Sequence, residues 1–246
     1  MSADWVKRDV ASLWHGFTQM AAYEDNSPVI AESAEGHHIT DVDGRQYLDA
    51  ISSLWVTTLG HRVPELDAAL ADQAGRVAHT TMLGNGNRVV IEFAEELNAR
   101  LPMEDPRLLF AADGAVAVEQ AVKIAFQYWQ NLGVTDRTRY LALGGAYHGD
   151  TIGSMSVGDG GFGTDQFDPL TFTALRAPGY DDPAAIDTAI AMVEQHAGEL
   201  AAVVIEPIVQ GAVGIQTRDP GEFAPLADAC RAAGALPVSY THLRAH

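Results

Sequence analysis

The chain has 246 residues, 47% of them hydrophobic, enough for one substantial core with a small appendage. Its formal net charge of -18 repels nucleic-acid phosphates and anionic lipid, so neither is expected as a partner. One cysteine, Cys230, excludes an internal disulfide framework; with no long apolar run for a membrane span and no apolar core in MSADWVKRDV for a signal peptide, the cytoplasm is the expected location.

Val6 to Trp14 reads as a short helix. Between Pro28 and Ile51, the runs VIAES, HHITDV and QYLDAI are split by Glu35-Gly36 and Asp43-Gly44, which fits a small antiparallel meander. After Gly60 the period becomes helical. VPELDAALADQAGRVAH carries Pro64 near its start, and VVIEFAEELNARL is stopped by Pro102. LLFAA reads as a short apolar strand, followed by the long helix GAVAVEQAVKIAFQYWQNLG with Gly133 as its stop. RYLALGG is a strand. LAAVVIEPI is fully apolar and rich in β-branched residues, as central parallel strands are. FAPLADACRAAGA is a helix ending at Gly234. Strands alternating with helices predict an α/β fold with a mainly parallel sheet, divided as residues 1–60, 61–236 and a distinct tail 237–246. Working residues in such sheets gather at the carboxyl ends of strands.

Four places satisfy that rule or stand near it. Ala112-Asp113-Gly114-Ala115 joins LLFAA to the long helix. Free N–H groups at the positive helix end would cradle a phosphate, though an ordinary tight turn reads the same way. Gly144-Gly145-Ala146-Tyr147-His148-Gly149 follows a strand. Its aromatic ring and imidazole could stack on a flat cofactor or simply hold a loop. Glu206, before Pro207 and near Gln210-Gly211, is a carboxylate at the end of a central strand and needs a partner there. Trp55, after Ser52-Ser53-Leu54, could line a pocket or plug a core, and so could Trp14 and Phe17. The histidines show no HExxH or other tight ligand spacing, and there is no GxSxG elbow, so metal and Ser/His/Asp hydrolase chemistry are not expected.

Taken together, these segments resemble the class III (ω-amino-acid) aminotransferases, which are fold-type I enzymes dependent on pyridoxal 5'-phosphate. The matching stretches begin with Leu13-Trp14-His15, Phe17-Thr18-Gln19-Met20, Ser52-Ser53-Leu54-Trp55 with Gly60-His61-Arg62, and His79 to Gly84. They continue with Asp113-Gly114-Ala115, Phe126-Gln127-Tyr128-Trp129, Tyr147-His148-Gly149-Asp150-Thr151, and Glu206 to Gly211. The likeness runs from about Leu13 to about Leu236 and would be about half of a full-length member. Within the family it is nearest the branch that aminates 8-amino-7-oxononanoate to 7,8-diaminopelargonate in biotin synthesis, with S-adenosylmethionine or lysine as amino donor. Other ω-aminotransferases, acting on polyamines, β-amino acids or pyruvate, and a non-catalytic binding or scaffold protein are the alternatives.

The resemblance implies that Gly114 and Ala115 bind the cofactor phosphate and that Tyr147 stacks on its ring. His148 and Gly149 would shape the pocket, and Glu206 would lie beneath or beside the cofactor. Phe17 and Trp55 would line the acceptor pocket, with Phe17 standing where the family usually has a tyrosine. Asp113 stands where the family favours serine, so its carboxylate is expected to turn away or cap the helix. Small-molecule donor and acceptor and a homodimer are the implied partners, with His79 to Gly84 approaching the second subunit's site.

Two family groups are expected but missing. An aspartate should end the strand after FAPLADACRAAGA, and a lysine should follow to bond the cofactor. Instead the sequence reads Ala235-Leu236-Pro237-Val238-Ser239-Tyr240-Thr241-His242-Leu243-Arg244-Ala245-His246. Lys7 and Lys123 are the only lysines, and neither matches the catalytic position. Pro237 removes a donor where a central strand needs one, so the native pattern is expected to end there, the tail to be foreign, and the chain as written to be inactive.

Overall fold

The structure, a computed structural model, describes residues 2–159 and 163–240; the remainder of the expected tail, residues 241–246, lies outside them. The chain forms two compact units that divide between Leu108 and Leu109, the helices after Gly60 falling in the first unit with the meander.

The first unit opens with α1 (Ser2–Ser12). Three antiparallel strands follow, β1 (Ala31–Glu35), β2 (His38–Asp41) and β3 (Gln46–Leu48), with Ala34 opposite Ile39 and Ile39 opposite Tyr47. Buried Asp41 fastens the second turn by accepting the N–H groups of Asp43 and Arg45 at 2.9 and 2.8 Å and the Tyr47 hydroxyl at 3.0 Å. The one-turn segment α2 (Ser52–Trp55) is left-handed, with φ of 52, 49, 62 and 72° at four successive non-glycine residues. Asp49 holds it by accepting the Ser53 N–H and hydroxyl, both at 2.8 Å, and His61 Nε2 at 2.8 Å. Helix α3 (Pro64–Arg76) starts on its proline, whose missing N–H is no loss in a first turn, and α4 (Arg88–Asn98) is capped by Asn87.

The second unit is built on a four-stranded parallel sheet. In chain order its elements are α5 (Gly114–Asn131), β4 (Arg139–Leu143), α6 (Ile152–Val157), β5 (Leu175–Ala177), α7 (Ala185–Gln195) and β6 (Leu200–Ile205). The pair β7 (Val209–Gln210) and β8 (Gln216–Thr217), α8 (Phe223–Ala233) and β9 (Leu236–Ser239) follow. The sheet order is β5-β4-β6-β9. Alternation along β4 sends Leu141 and Leu143 to one face, against Ile186, Ala189 and Val193 of α7 and Leu226 and Cys230 of α8. Tyr140 and Ala142 go to the other face, against Val118, Val122, Ala125 and Trp129 of α5. Each fully buried Val or Leu contributes about 1.5–3 kcal/mol. The face with α5 is also pinned by hydrogen bonds from Trp129 Nε1 to the Ala201 carbonyl (3.0 Å) and from the Tyr140 hydroxyl to the Val122 carbonyl (2.8 Å). No helix among the described residues is long and apolar enough to cross a membrane.

The α/β class and the parallel sheet are as the sequence predicts, with two differences. LLFAA forms no strand: residues 106–111 are irregular, and Leu109 and Phe110 are exposed. A parallel strand exists only within a ladder, and the sheet's four places are taken by other segments. The second difference is at Pro237, which the pattern was expected not to pass. β9 runs through it, in parallel register with β6 from Ala202–Leu236 to Ile205–Ser239. The Tyr240 N–H donates to the Ile205 carbonyl at 2.8 Å, so by alternation Val238 also faces β6 while Pro237 and Ser239 turn their backbone outward. The missing donor therefore falls on the side of β9 that has no partner strand among the described residues.

Candidate functional site

The second unit gathers its chemistry at the carboxyl ends of β4, β6 and β9 and at the start of α5. Asp113 is extended (φ -158°, ψ 178°) and N-caps α5, its Oδ1 accepting the Val116 N–H at 2.8 Å. The carboxylate is thus spent on the helix, as expected. Gly114 and Ala115 occupy the first helical turn of an 18-residue helix, where backbone N–H groups have no intrahelical acceptor and the dipole is positive.

The loop after β4 is brought to this turn by close packing. Gly149 has a φ of +112°, and a Cβ placed on it would overlap Ala115. Glycine is required there for both reasons. Just beyond, Gly153 donates its N–H to Glu119 Oε1 at 2.6 Å, so the first turn of α6 is tied to a carboxylate on α5.

Tyr147, His148 and Glu206 meet in the same place. The Tyr147 N–H donates to Glu206 Oε1 at 2.7 Å, and the Gly211 N–H donates to Glu206 Oε2 at 3.1 Å. Glu206 is 1% exposed, so these bonds supply the partner a buried carboxylate needs. The Tyr147 hydroxyl donates to Asp150 Oδ2 at 2.8 Å; burial first, then that carboxylate, pushes the phenol's pKa well up and keeps it neutral. His148 is fully buried, and its ring meets the Tyr240 ring edge-on, centroids 5.4 Å apart.

Two further residues tie the strand ends together. Buried Gln210 donates from Nε2 to the Gly144 carbonyl at 2.9 Å, and the Tyr180 hydroxyl donates to the Glu206 carbonyl. Tyr180 escapes sequence reasoning because the strand before it, β5, spans three residues and shows no period. Tyr240, within the tail that the sequence sets apart, stands at the end of β9, where the resemblance implies an aspartate, and packs on the core formed by Val118 and its neighbours.

The structure therefore brings together Gly114, Ala115, Tyr147, His148, Gly149 and Glu206. Phe17 and Trp55 belong to the first unit. Phe17 is 70% exposed and Trp14 89% exposed, so neither plugs a core, while Trp55 is half-buried. Lys7 is in the first unit; Lys123 is exposed on α5, in a groove lined also by Phe126, Gln127 and Thr138.

Comparison with known proteins places this arrangement. The family model described as aminotransferase class-III matches residues 19–239. Adenosylmethionine-8-amino-7-oxononanoate aminotransferase of Nitratidesulfovibrio vulgaris is 41% identical over 94% of this chain and 45% of its own length. The same-named protein of Anoxybacillus flavithermus is 38% identical over 93% and 53%. The chain thus spans about half the length of the curated relatives it matches. The crystal structure of the Methanocaldococcus jannaschii adenosylmethionine-8-amino-7-oxononanoate aminotransferase superposes with a TM-score of 0.93 at 33% identity, covering 98% of this chain and 55% of that one. An amine transaminase from an uncultivated Pseudomonas species, solved in its PLP-bound form, gives a TM-score of 0.83 at 30% identity over 93% and 55%.

Proposed function

The chain belongs to the class-III aminotransferases, and from that premise we propose that it carries the phosphate-and-ring half of a pyridoxal-phosphate site in an enzyme that aminates 8-amino-7-oxononanoate to 7,8-diaminopelargonate. The amino donor is S-adenosylmethionine or lysine. The carrying observation is the convergence of the α5 start, the Tyr147–Gly149 loop and Glu206 at adjoining strand ends. Relatives 41% and 38% identical over the stretch they have in common with this chain bear the name of that activity.

The phosphate end of the cofactor fits this site. Gly114 offers backbone without a side chain, Ala115 only a methyl group, and the Asp113 carboxylate is held away by its bond to Val116. Tyr147 would present a neutral aromatic face, fixed at its backbone by Glu206 and at its hydroxyl by Asp150. Glu206, with both oxygens taken by N–H groups, would position the ring pocket rather than move a proton. His148 and Gly149 would shape that pocket. Bound there, the cofactor would supply an electron sink for the carbon that exchanges its amino group.

The ring-nitrogen and lysine ends do not fit. Tyr240, not a carboxylate, follows β9, and neither Lys7 nor Lys123 matches in sequence the position at which the family carries its lysine. The 246-residue chain is therefore predicted to show no turnover alone. Activity is proposed for the longer protein, acting as a homodimer in the cytoplasm; nearly bare Trp14 and Leu83 (89 and 90% exposed) support a subunit contact on the first unit.

The test is a chimera: residues 1–234 joined to the remaining length of the Nitratidesulfovibrio vulgaris relative. Product is followed by mass spectrometry with each donor and with a panel of keto acceptors. Formation of 7,8-diaminopelargonate is expected. A folded, cofactor-loaded chimera that aminates pyruvate or an amino-aldehyde faster than 8-amino-7-oxononanoate would overturn the substrate assignment.

A further inference from the structure

We infer that Tyr240 closes the cofactor pocket of this chain, its ring filling the space at the end of β9 that a pyridine ring would need and its hydroxyl standing over the phosphate turn. The inference rests on the proposed reading of Gly114 and Ala115 as the phosphate seat.

Three contacts fix the side chain. The Tyr240 N–H bonds to the Ile205 carbonyl at 2.8 Å, which locks its backbone in register beside β6. Its ring lies edge-on to buried His148, at 5.4 Å and 88°. Its hydroxyl oxygen lies 2.7 Å from the point where a Cβ on Gly114 would stand, so the phenol reaches the first residue of α5. The ring is half-buried and packs on the Val118–Val204 core. Ligand and phenol compete for one volume between His148 and Gly114.

Charge works in the same direction as volume. Burial first, then the nearby carboxylates of Glu206, Asp113 and Asp150, raise the Tyr240 pKa, so the group is a neutral phenol. It offers no negative charge to a protonated ring nitrogen. The residue thus decides two properties of the pocket: whether a ring enters and what charge it meets.

The experiment measures binding of 4'-deoxypyridoxine 5'-phosphate to the full chain by equilibrium dialysis. This probe has the ring and phosphate but no aldehyde, so it cannot bond to Lys7 or Lys123. Four proteins are compared: the unaltered chain, Tyr240→Phe, Tyr240→Ala, and Tyr240→Ala with Gly114→Pro. Proline is accommodated at a first helical position but lacks the N–H that would hold the phosphate. Tyr240→Phe is expected to bind as weakly as the unaltered chain. Tyr240→Ala is expected to bind at least tenfold more tightly, and Gly114→Pro to abolish the gain.

If the unaltered chain binds as tightly as Tyr240→Ala, and Gly114→Pro weakens that binding, the seat is real and the closure is wrong. If folded Tyr240→Ala binds nothing, the seat and the closure fall together. Should Tyr240→Ala not fold, Tyr240→Val keeps an apolar side chain against the Val118–Val204 core, frees the ring volume, and carries the same expectation.

Discussion

Tyr147 and Glu206 are 59 residues apart in sequence and joined by a 2.7 Å hydrogen bond from the backbone N–H of one to the carboxylate of the other. The loop after β4 is thereby held to the end of β6. The Gly211 N–H completes the grip from the far side of the carboxylate. Replacing Glu206 by Ala strips acceptors from two N–H groups, in a place where the side chain is 1% exposed. A loss of about 2–4 kcal/mol in urea unfolding is expected, with Glu206→Gln costing less because one oxygen still accepts. Equal losses for the two variants would mean that the carboxylate's charge, not its acceptor geometry, holds the loop.

Gly149→Ala combines a left-handed backbone with an overlap on Ala115. The expected cost is about 2–4 kcal/mol. Adding Ala115→Gly removes the methyl group at 2.3 Å but leaves the Cα of that residue at 2.7 Å and the backbone strain, so only part of the loss returns, less the cost of the lower helix propensity of glycine. A double-mutant cycle should show coupling of about 1–2 kcal/mol; strictly additive effects would contradict the contact.

Asp113 caps α5 and sits beside the proposed phosphate seat. Asp113→Ala is expected to lower stability by about 1 kcal/mol, and Asp113→Ser to leave it nearly unchanged. In the Tyr240→Ala background, Asp113→Ser should bind the phosphate ester several-fold more tightly, since it keeps the cap and removes the charge. Unchanged affinity would show that the carboxylate already lies too far from the ligand to matter.

Asp49 titrates low. The N–H of Ser53 first, then its hydroxyl and His61, hold the carboxyl at about 2, below the value of roughly 3.9 for unfolded aspartate. Its stabilisation of the Ser52–Trp55 turn is therefore complete above that unfolded value and is lost as pH falls through about 2. The indole resonance of Trp55 should shift over this acid range in the unaltered chain. Asp49→Asn should show the loosened resonance already at neutral pH, with the difference between the two proteins closing toward acid.

Much of this was readable before any coordinates. A fully apolar β6, a long helix stopped by Gly133, and small-residue turns after strands point to the α/β layering and to the strand ends where Gly114, Tyr147 and Glu206 meet. Other features have no local signature. LLFAA has the composition of a strand, but composition does not supply a neighbour. Helix α7 buries Ile186, Ala189 and Val193, and its run of small and flexible residues blurs the period. The left-handed turn at Ser52–Trp55 is imposed by Asp49 and His61 rather than by any glycine. The effect of Pro237 depends on which way its backbone faces, and a sequence does not state that.

That orientation has a consequence for association. An edge strand is a template on which a second chain can lay its own backbone. On the outer side of β9, Pro237 presents a ring in place of a donor, so an incoming strand would find one rung missing midway along a four-residue strand. The proline that interrupts the pattern in the sequence acts here as a gatekeeper, leaving the ladder to β6 whole while the side of β9 that is unpaired among the described residues offers an added strand one donor fewer.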